Sequence, residues 1–261
     1  MKTIMTRAFI FYLVCFLLVW RILNYHQLIE NAIPQTMSRL TPPINYFTEF
    51  VDRQDNYNRF SLMNCIYYHK AVAHYFPYQK AEAYGMLGFC YERSGQSAQA
   101  IDYYKQAIAL NPDYFWPYYD LGVIYYNQTQ YSKAADYFLQ AVEQNPVKTI
   151  VLLSRSKVYS DVKSGPYDFV QGIKQGRQQA YVLLMDSLFK SGAYEQVSKV
   201  AVEGLKEGLG MEDVFYYYLA MCLHLAGKDD MAGALMVKVR QLHPQGDDWI
   251  KQYLQARVRF F

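Results

Sequence analysis

Histidine and cysteine come first among the residues able to do chemistry, because both ligate metals and both act in catalysis near neutral pH. The histidines are His26, His69, His74, His224 and His243. His69 and His74 stand five apart, a spacing that does not share one helix face, and no HExxH pattern accompanies them. The cysteines, Cys15, Cys65, Cys90 and Cys222, form neither a CxxC pair nor a close cluster. That spacing predicts no disulfide framework and no zinc site, and it leaves the redox compartment open. No glycine-rich phosphate loop and no GxSxG elbow occurs. Asn127-Gln128-Thr129 is a lone glycan-acceptor sequence. The expectation is a chain that is not an enzyme, with no catalytic residue, cofactor, metal or small-molecule substrate.

Composition narrows the class further. The chain has 261 residues, 52% of them apolar, enough for a substantial core and too many for a disordered protein. The formal charge is +3 and the basic residues are scattered, so no nucleic-acid footprint is expected. Tyrosine is abundant, with 27 copies. Its apolar ring and polar tip suit half-buried positions between helices and on contact surfaces.

The amino terminus carries "AFIFYLVCFLLVW", 13 apolar residues from Ala8 to Trp20. Extended from Ile4 to Leu23 the segment reaches 20 residues, about the length that crosses a bilayer, with Arg7 and Arg21 placed to reach the headgroups. Residues 8–23 are therefore read as a transmembrane anchor behind a short cytoplasmic tail at 1–7. A cleaved secretory signal is one rival and a buried soluble helix another; "RILNYHQLIE" after the apolar run lacks the small residues that cleavage wants. Lys2 and Arg7 lie before the segment and Arg21 alone close behind it. That excess favours the large remainder on the non-cytoplasmic, periplasmic side, a cytosol-facing chain being the alternative.

The rest of the chain must position whatever function exists, and here a phrase repeats. "YYKQAIALNPD" from Tyr103 returns as "YFLQAVEQNPV" from Tyr137, 34 residues on. Each unit reads as two helices. Tyr84, Leu87, Gly88 and Tyr91 fall at helical spacing on the first, and Ala100, Tyr104 and Ala107 share a face of the second, which stops before Pro112. The same roles recur at Tyr118, Leu121, Gly122, Tyr125, Ala134, Phe138, Ala141 and Pro146. Small residues let the two helices approach and large ones fill the space beside them. Cys90 and Cys222 hold the same position in their units, which argues for core packing.

This pattern resembles the tetratricopeptide repeat family. Two weaker units extend the resemblance: one near Gln178 with Tyr181, Leu184, Gly192 and Tyr194, where Val197 replaces the usual alanine and no closing proline appears. The other, near Asp213, has Tyr216, Leu219, Ala220, Leu223, Gly227, Ala232 and Pro244. The implied fold is all-α: a helical-repeat solenoid of stacked antiparallel helix pairs in a right-handed superhelix, with the amino-terminal transmembrane helix and a carboxyl-terminal capping helix. Residues 24–55 are then a spacer, 56–79 a degenerate helical element and 80–147 two clear repeats. Residues 148–177 are a degenerate repeat or insertion, 178–246 two weaker repeats and 247–261 the cap, with Trp249, Ile250, Tyr253, Leu254 and Val258 on one face.

In that family the first helices line a concave groove. Carried over by position, the peptide-binding candidates are Phe89, Trp116, Tyr119, Tyr126, Phe189, Tyr217 and Met221, with His224 beside them. The family's carboxylate clamp of Lys, Arg and Asn is replaced here by Gly85, Phe89 and Asp120. The resemblance therefore implies a protein or peptide partner held by aromatic side chains, with the lipid bilayer contacted through 8–23. The expected function is a membrane-anchored scaffold for assembling a membrane or cell-envelope complex. An accessory or regulatory subunit of a membrane enzyme or secretion system, or a self-associating structural protein, are the alternatives.

Overall fold

The computed structural model describes residues 59–155 and 169–243. The expected tail at 1–7, anchor at 8–23, spacer at 24–55 and capping helix at 247–261 lie outside these residues. No helix among the described residues is long and apolar enough to cross a membrane.

Helix α1 spans Arg59–Tyr75, α2 Lys80–Arg93, α3 Ser97–Leu110, α4 Phe115–Asn127 and α5 Tyr131–Glu143. Then come α6 (Pro146–Arg155), α7 (Phe169–Lys190), α8 (Tyr194–Glu207), α9 (Glu212–Leu225) and α10 (Asp229–Leu242). No strand occurs among the described residues. The helices pair as hairpins, α2 with α3, α4 with α5, α7 with α8 and α9 with α10. Neighbouring hairpins meet through α3 and α4, α5 and α7, and α8 and α9, while α1 packs along α2. One apolar core runs through the stack from Met86 to Val239.

Each hairpin turns in the same way. The second turn residue has a left-handed backbone: Gly95 (φ 76°), Thr129 (φ 59°), Gly192 (φ 82°) and Gly227 (φ 71°). The next amide closes a six-residue bond back to the helix, Gln96 to Tyr91, Gln130 to Tyr125, Ala193 to Leu188 and Lys228 to Leu223, each at 2.9 Å. These bonds satisfy carbonyls that the helix end leaves without a partner. Glycine takes this conformation without steric cost; Thr129 does not.

Close approach explains the small residues. At Gly88 a Cβ would stand 2.5 Å from the Tyr104 ring, and at Gly122 it would stand 2.6 Å from the Phe138 ring. The equivalent positions of the third hairpin are exchanged, with Met185 on α7 and Ala201 on α8, both fully buried. Large on one helix and small on the other fills the same space in either order. Beside these contacts Tyr91 stacks on Tyr103 at 5.3 Å, and Tyr125 on Tyr137 at 5.4 Å.

Two sequence expectations need correction. Cys65 on α1 and Cys90 on α2 form a disulfide with their Cα atoms 6.2 Å apart. They lie 25 residues apart, and only the packing of α1 along α2 brings them together. The division at 177/178 is also absent, because "FVQGIKQG" and the first helix of the next unit are one continuous helix, α7. Gly176 weakens helix propensity, but it lets α7 pass closely over α4: a Cβ there would lie 2.9 Å from both Phe115 and Trp116. Pro146 opens α6 at its first position, where a missing amide costs nothing, and the Asn145 side chain accepts from the Val147 amide at 2.9 Å.

The end of α5 is held from a distance. Arg177 on α7 donates to the carbonyls of Val142 (2.6 Å) and Gln144 (3.0 Å) and to the Glu207 carboxylate (2.7 Å). Tyr181 donates to the other Glu207 oxygen at 2.7 Å. A cation at helix carbonyl ends is electrostatically favoured. One side chain thus ties the ends of α5 and α8 to α7.

Candidate functional site

The candidate residues sort by what lies over them. Tyr119 and Tyr126, on α4, are buried at 3% and 4% exposure. Helix α7 covers them: the Tyr119 hydroxyl donates to Gln179 Oε1 at 3.0 Å, and the Tyr126 hydroxyl donates to the Asp186 carboxylate. Phe89, Trp116 and Phe189 are half-buried. The Arg93 guanidinium lies over the Phe89 ring at 5.4 Å, Trp116 meets Phe115 edge-on at 5.0 Å, and Phe189 meets Tyr194 edge-on at 5.2 Å. These rings sit at the margin between packing and surface.

Tyr217 and Met221 come together with His224 in one cleft between α9 and α10, of about 450 Å³. Met236 and Ala232 complete its apolar wall, and Gly233 leaves space, since a Cβ there would meet nothing within 4 Å. At its edge the exposed His224 Nδ1 and Asp229 Oδ1 approach to 2.6 Å.

The cleft has a counterpart. Subtracting 98 from Tyr217, Met221, His224, Gly233 and Met236 gives Tyr119, Val123, Tyr126, Ala135 and Phe138. All five of those are buried, in the hairpin against which α7 packs. The same face that receives a helix in the second hairpin lines a cleft in the last.

A model of the family described as "Tetratricopeptide repeat" matches residues 81–114, and another of the same description matches 103–135. Residues 81–135 are thus tetratricopeptide repeats. Three solved structures are similar to it. "MamA MSR-1 C2" is 16% identical with a TM-score of 0.46, covering 77% of this chain and 97% of its own. YrrB, described as a TPR protein with an unusual peptide-binding site, is 16% identical with a TM-score of 0.28, covering 67% and 91%. PilF of Pseudomonas aeruginosa is 15% identical with a TM-score of 0.32, covering 80% and 96%. No curated protein matches the sequence significantly.

Three polar features of these helices escaped the sequence reading. Asp186 on α7 binds helices on both sides, accepting from Tyr126 on α4 and from Tyr218 on α9 (2.9 Å), and pairing with Lys190 at 2.7 Å. Burial first, and then the Asp186 charge, push both tyrosine hydroxyls above their ordinary pKa, so they stay protonated donors. A lone acid inside "YVLLMDSLF" was the available signal.

Glu92, at the end of α2, accepts from the Tyr104 hydroxyl at 2.8 Å, and Asp120 on α4 lies near both. Burial pushes Glu92 up to about 7 and Asp120 well above the usual carboxylate range; for Asp120 the nearby Glu92 adds to it, while Tyr104 and Arg93 oppose. Both carboxyls therefore hold their protons to higher pH than a solvated carboxylate does.

The third feature is at the disulfide. Cys65, His69 and Cys90 are all buried, with their ligating atoms within 4.8 Å of one another, the one such trio of metal-binding types among the described residues. Burial lowers the His69 pKa to about 3, so the ring is neutral. Cys222, by contrast, is a buried thiol on α9 outside any disulfide, its pKa raised by burial against an opposing hydrogen bond with Ser198.

Proposed function

We propose that this tetratricopeptide protein is a membrane-tethered scaffold whose last hairpin docks an apolar-faced helix of a protein partner, in assembling a membrane or cell-envelope complex. The single observation behind this reading is the cleft of Tyr217, Met221, His224 and Met236, in which Tyr217 and His224 hold the positions of Tyr119 and Tyr126 that α7 covers in the second hairpin. A helix seats there by burying apolar residues against Met221 and Met236, with a polar group meeting His224 and Asp229 at the rim. Phe89, Trp116 and Phe189 extend an aromatic, weakly charged track for the rest of the partner. The apolar segment at 8–23 holds the solenoid at a bilayer and raises its local concentration there, with the periplasmic side favoured by Lys2 and Arg7.

The test is cross-linked capture from membranes by the full chain, by Met221→Ala/Tyr217→Ala and by Gly233→Leu, which grows a side chain from an open point of the cleft wall. Specific partners recovered by the full chain and lost with both variants support the reading; equal recovery by all three removes it. Resistance to alkaline extraction, lost on deleting 1–23, tests the tether separately.

A further inference from the structure

We infer that reduction of the Cys65–Cys90 disulfide, together with His69, creates a Cys₂His site for a soft d¹⁰ dication of the Zn²⁺ class. Cys65 and His69 are one turn apart on the same face of α1. Cys90 faces them from α2, and all three are buried. A purely structural disulfide makes no use of an imidazole within 4.8 Å of both sulfurs, whereas a thiophilic cation uses all three donors.

The chemistry balances with a dithiol reductant. Two electrons and two protons from that reductant break the S–S bond and leave two thiols, and the reductant departs as its own disulfide. The metal ion then displaces both thiol protons to solvent and forms two metal–sulfur bonds and one bond to a His69 nitrogen. Two thiolates and a neutral imidazole carry a charge of −2, which a dication cancels, so nothing charged is left over in a buried site. Once the bond opens, the sulfurs separate to van der Waals contact, close to the roughly 3.7 Å that tetrahedral zinc–thiolate bonds of about 2.3 Å require. Three protein donors leave one position for a water or other small ligand. In either state α1 is fixed to the first hairpin: covalently when oxidised, through the metal when reduced.

The test uses the full chain carrying Cys15→Ser and Cys222→Ser, so that Cys65 and Cys90 are its only thiols. Oxidised and phosphine-reduced samples are titrated with Zn²⁺ against a chromogenic chelator, and with Co²⁺ for its thiolate charge-transfer absorption. The reduced chain is expected to bind one equivalent and show that absorption, and the oxidised chain neither. His69→Gln should weaken Zn²⁺ binding by more than about tenfold, yet still lose both free thiols on oxidation. The proposal is overturned if the reduced chain binds no more tightly than a Cys65→Ser/Cys90→Ser chain, or if His69→Gln binds as well as its parent. The comparison of reduced with oxidised parent stands even if a variant fails to fold.

Discussion

The Tyr104 ring lies directly on Gly88, where a Cβ would stand 2.5 Å from Cδ1, and 34 residues on the Phe138 ring lies on Gly122 in the same way. The repeat is thus a recurring ring-on-glycine contact that sets how closely paired helices pack. Gly88→Ala and Gly122→Ala gain helix propensity of up to about 1 kcal/mol but force a fully buried ring to move. Each is expected to lose about 1–3 kcal/mol net in denaturant unfolding. Gly233→Ala, in open space on α10, should instead be neutral or stabilising, by up to about 1 kcal/mol. If all three shift stability alike, the ring contacts are not what selects glycine.

Thr129 offers a stabilising change. It holds a left-handed φ of 59° at the turn position that is glycine in the other three hairpins. Thr129→Gly relieves that strain and should raise stability by about 1 kcal/mol, seen as a higher denaturation midpoint with unchanged slope. Gly95→Thr should cost a similar amount.

The carboxylates at Glu92 and Asp120 give stability an unusual pH dependence. Their pKa values are raised on folding, Glu92 from an ordinary 4.5 to about 7. Between those values the folded state holds a proton that the unfolded state has released, so stability falls as pH rises. The contribution is fully favourable below about 4.5 and is lost as pH passes 7. Glu92→Gln keeps an acceptor for Tyr104 and removes the repulsion. Thermal melts from pH 5 to 8 should show a flatter profile for the variant, with its advantage over the parent largest at pH 8. A parallel profile would exclude Glu92 as the source.

Asp186 joins three hairpins, so its removal should be costly. Asp186→Ala leaves the hydroxyls of Tyr126 and Tyr218 without their acceptor and Lys190 without its counter-ion. A loss of about 3 kcal/mol is expected. Tyr126→Phe/Tyr218→Phe, which removes donors but leaves Asp186 paired with Lys190, should cost less than the alanine change. The reverse order would show that the node is not organised around the carboxylate.

Legibility followed the range of the interactions. Leu87, Gly88, Ala100 and Tyr104 could be recognised because helix period and repeat period fix which positions face each other. The seven groove candidates could be placed on first helices for the same reason. Their fates differ, since Tyr119 and Tyr126 lie under α7 while Tyr217 and Met221 line a cleft, and a neighbour further along the chain decides which.

By itself the sequence determined an all-helical chain whose hairpins recur, because turn glycines, small–large pairing and the 34-residue phrase are local chemistry repeated. Tertiary structure alone decided that Cys65 meets Cys90 beside His69, that Asp186 bridges Tyr126 and Tyr218, and that α7 runs unbroken over Gly176. Those outcomes depend on how separate helices stack. Burial energy accrues only when distant faces meet, and spacing along the chain carries no record of which faces those will be.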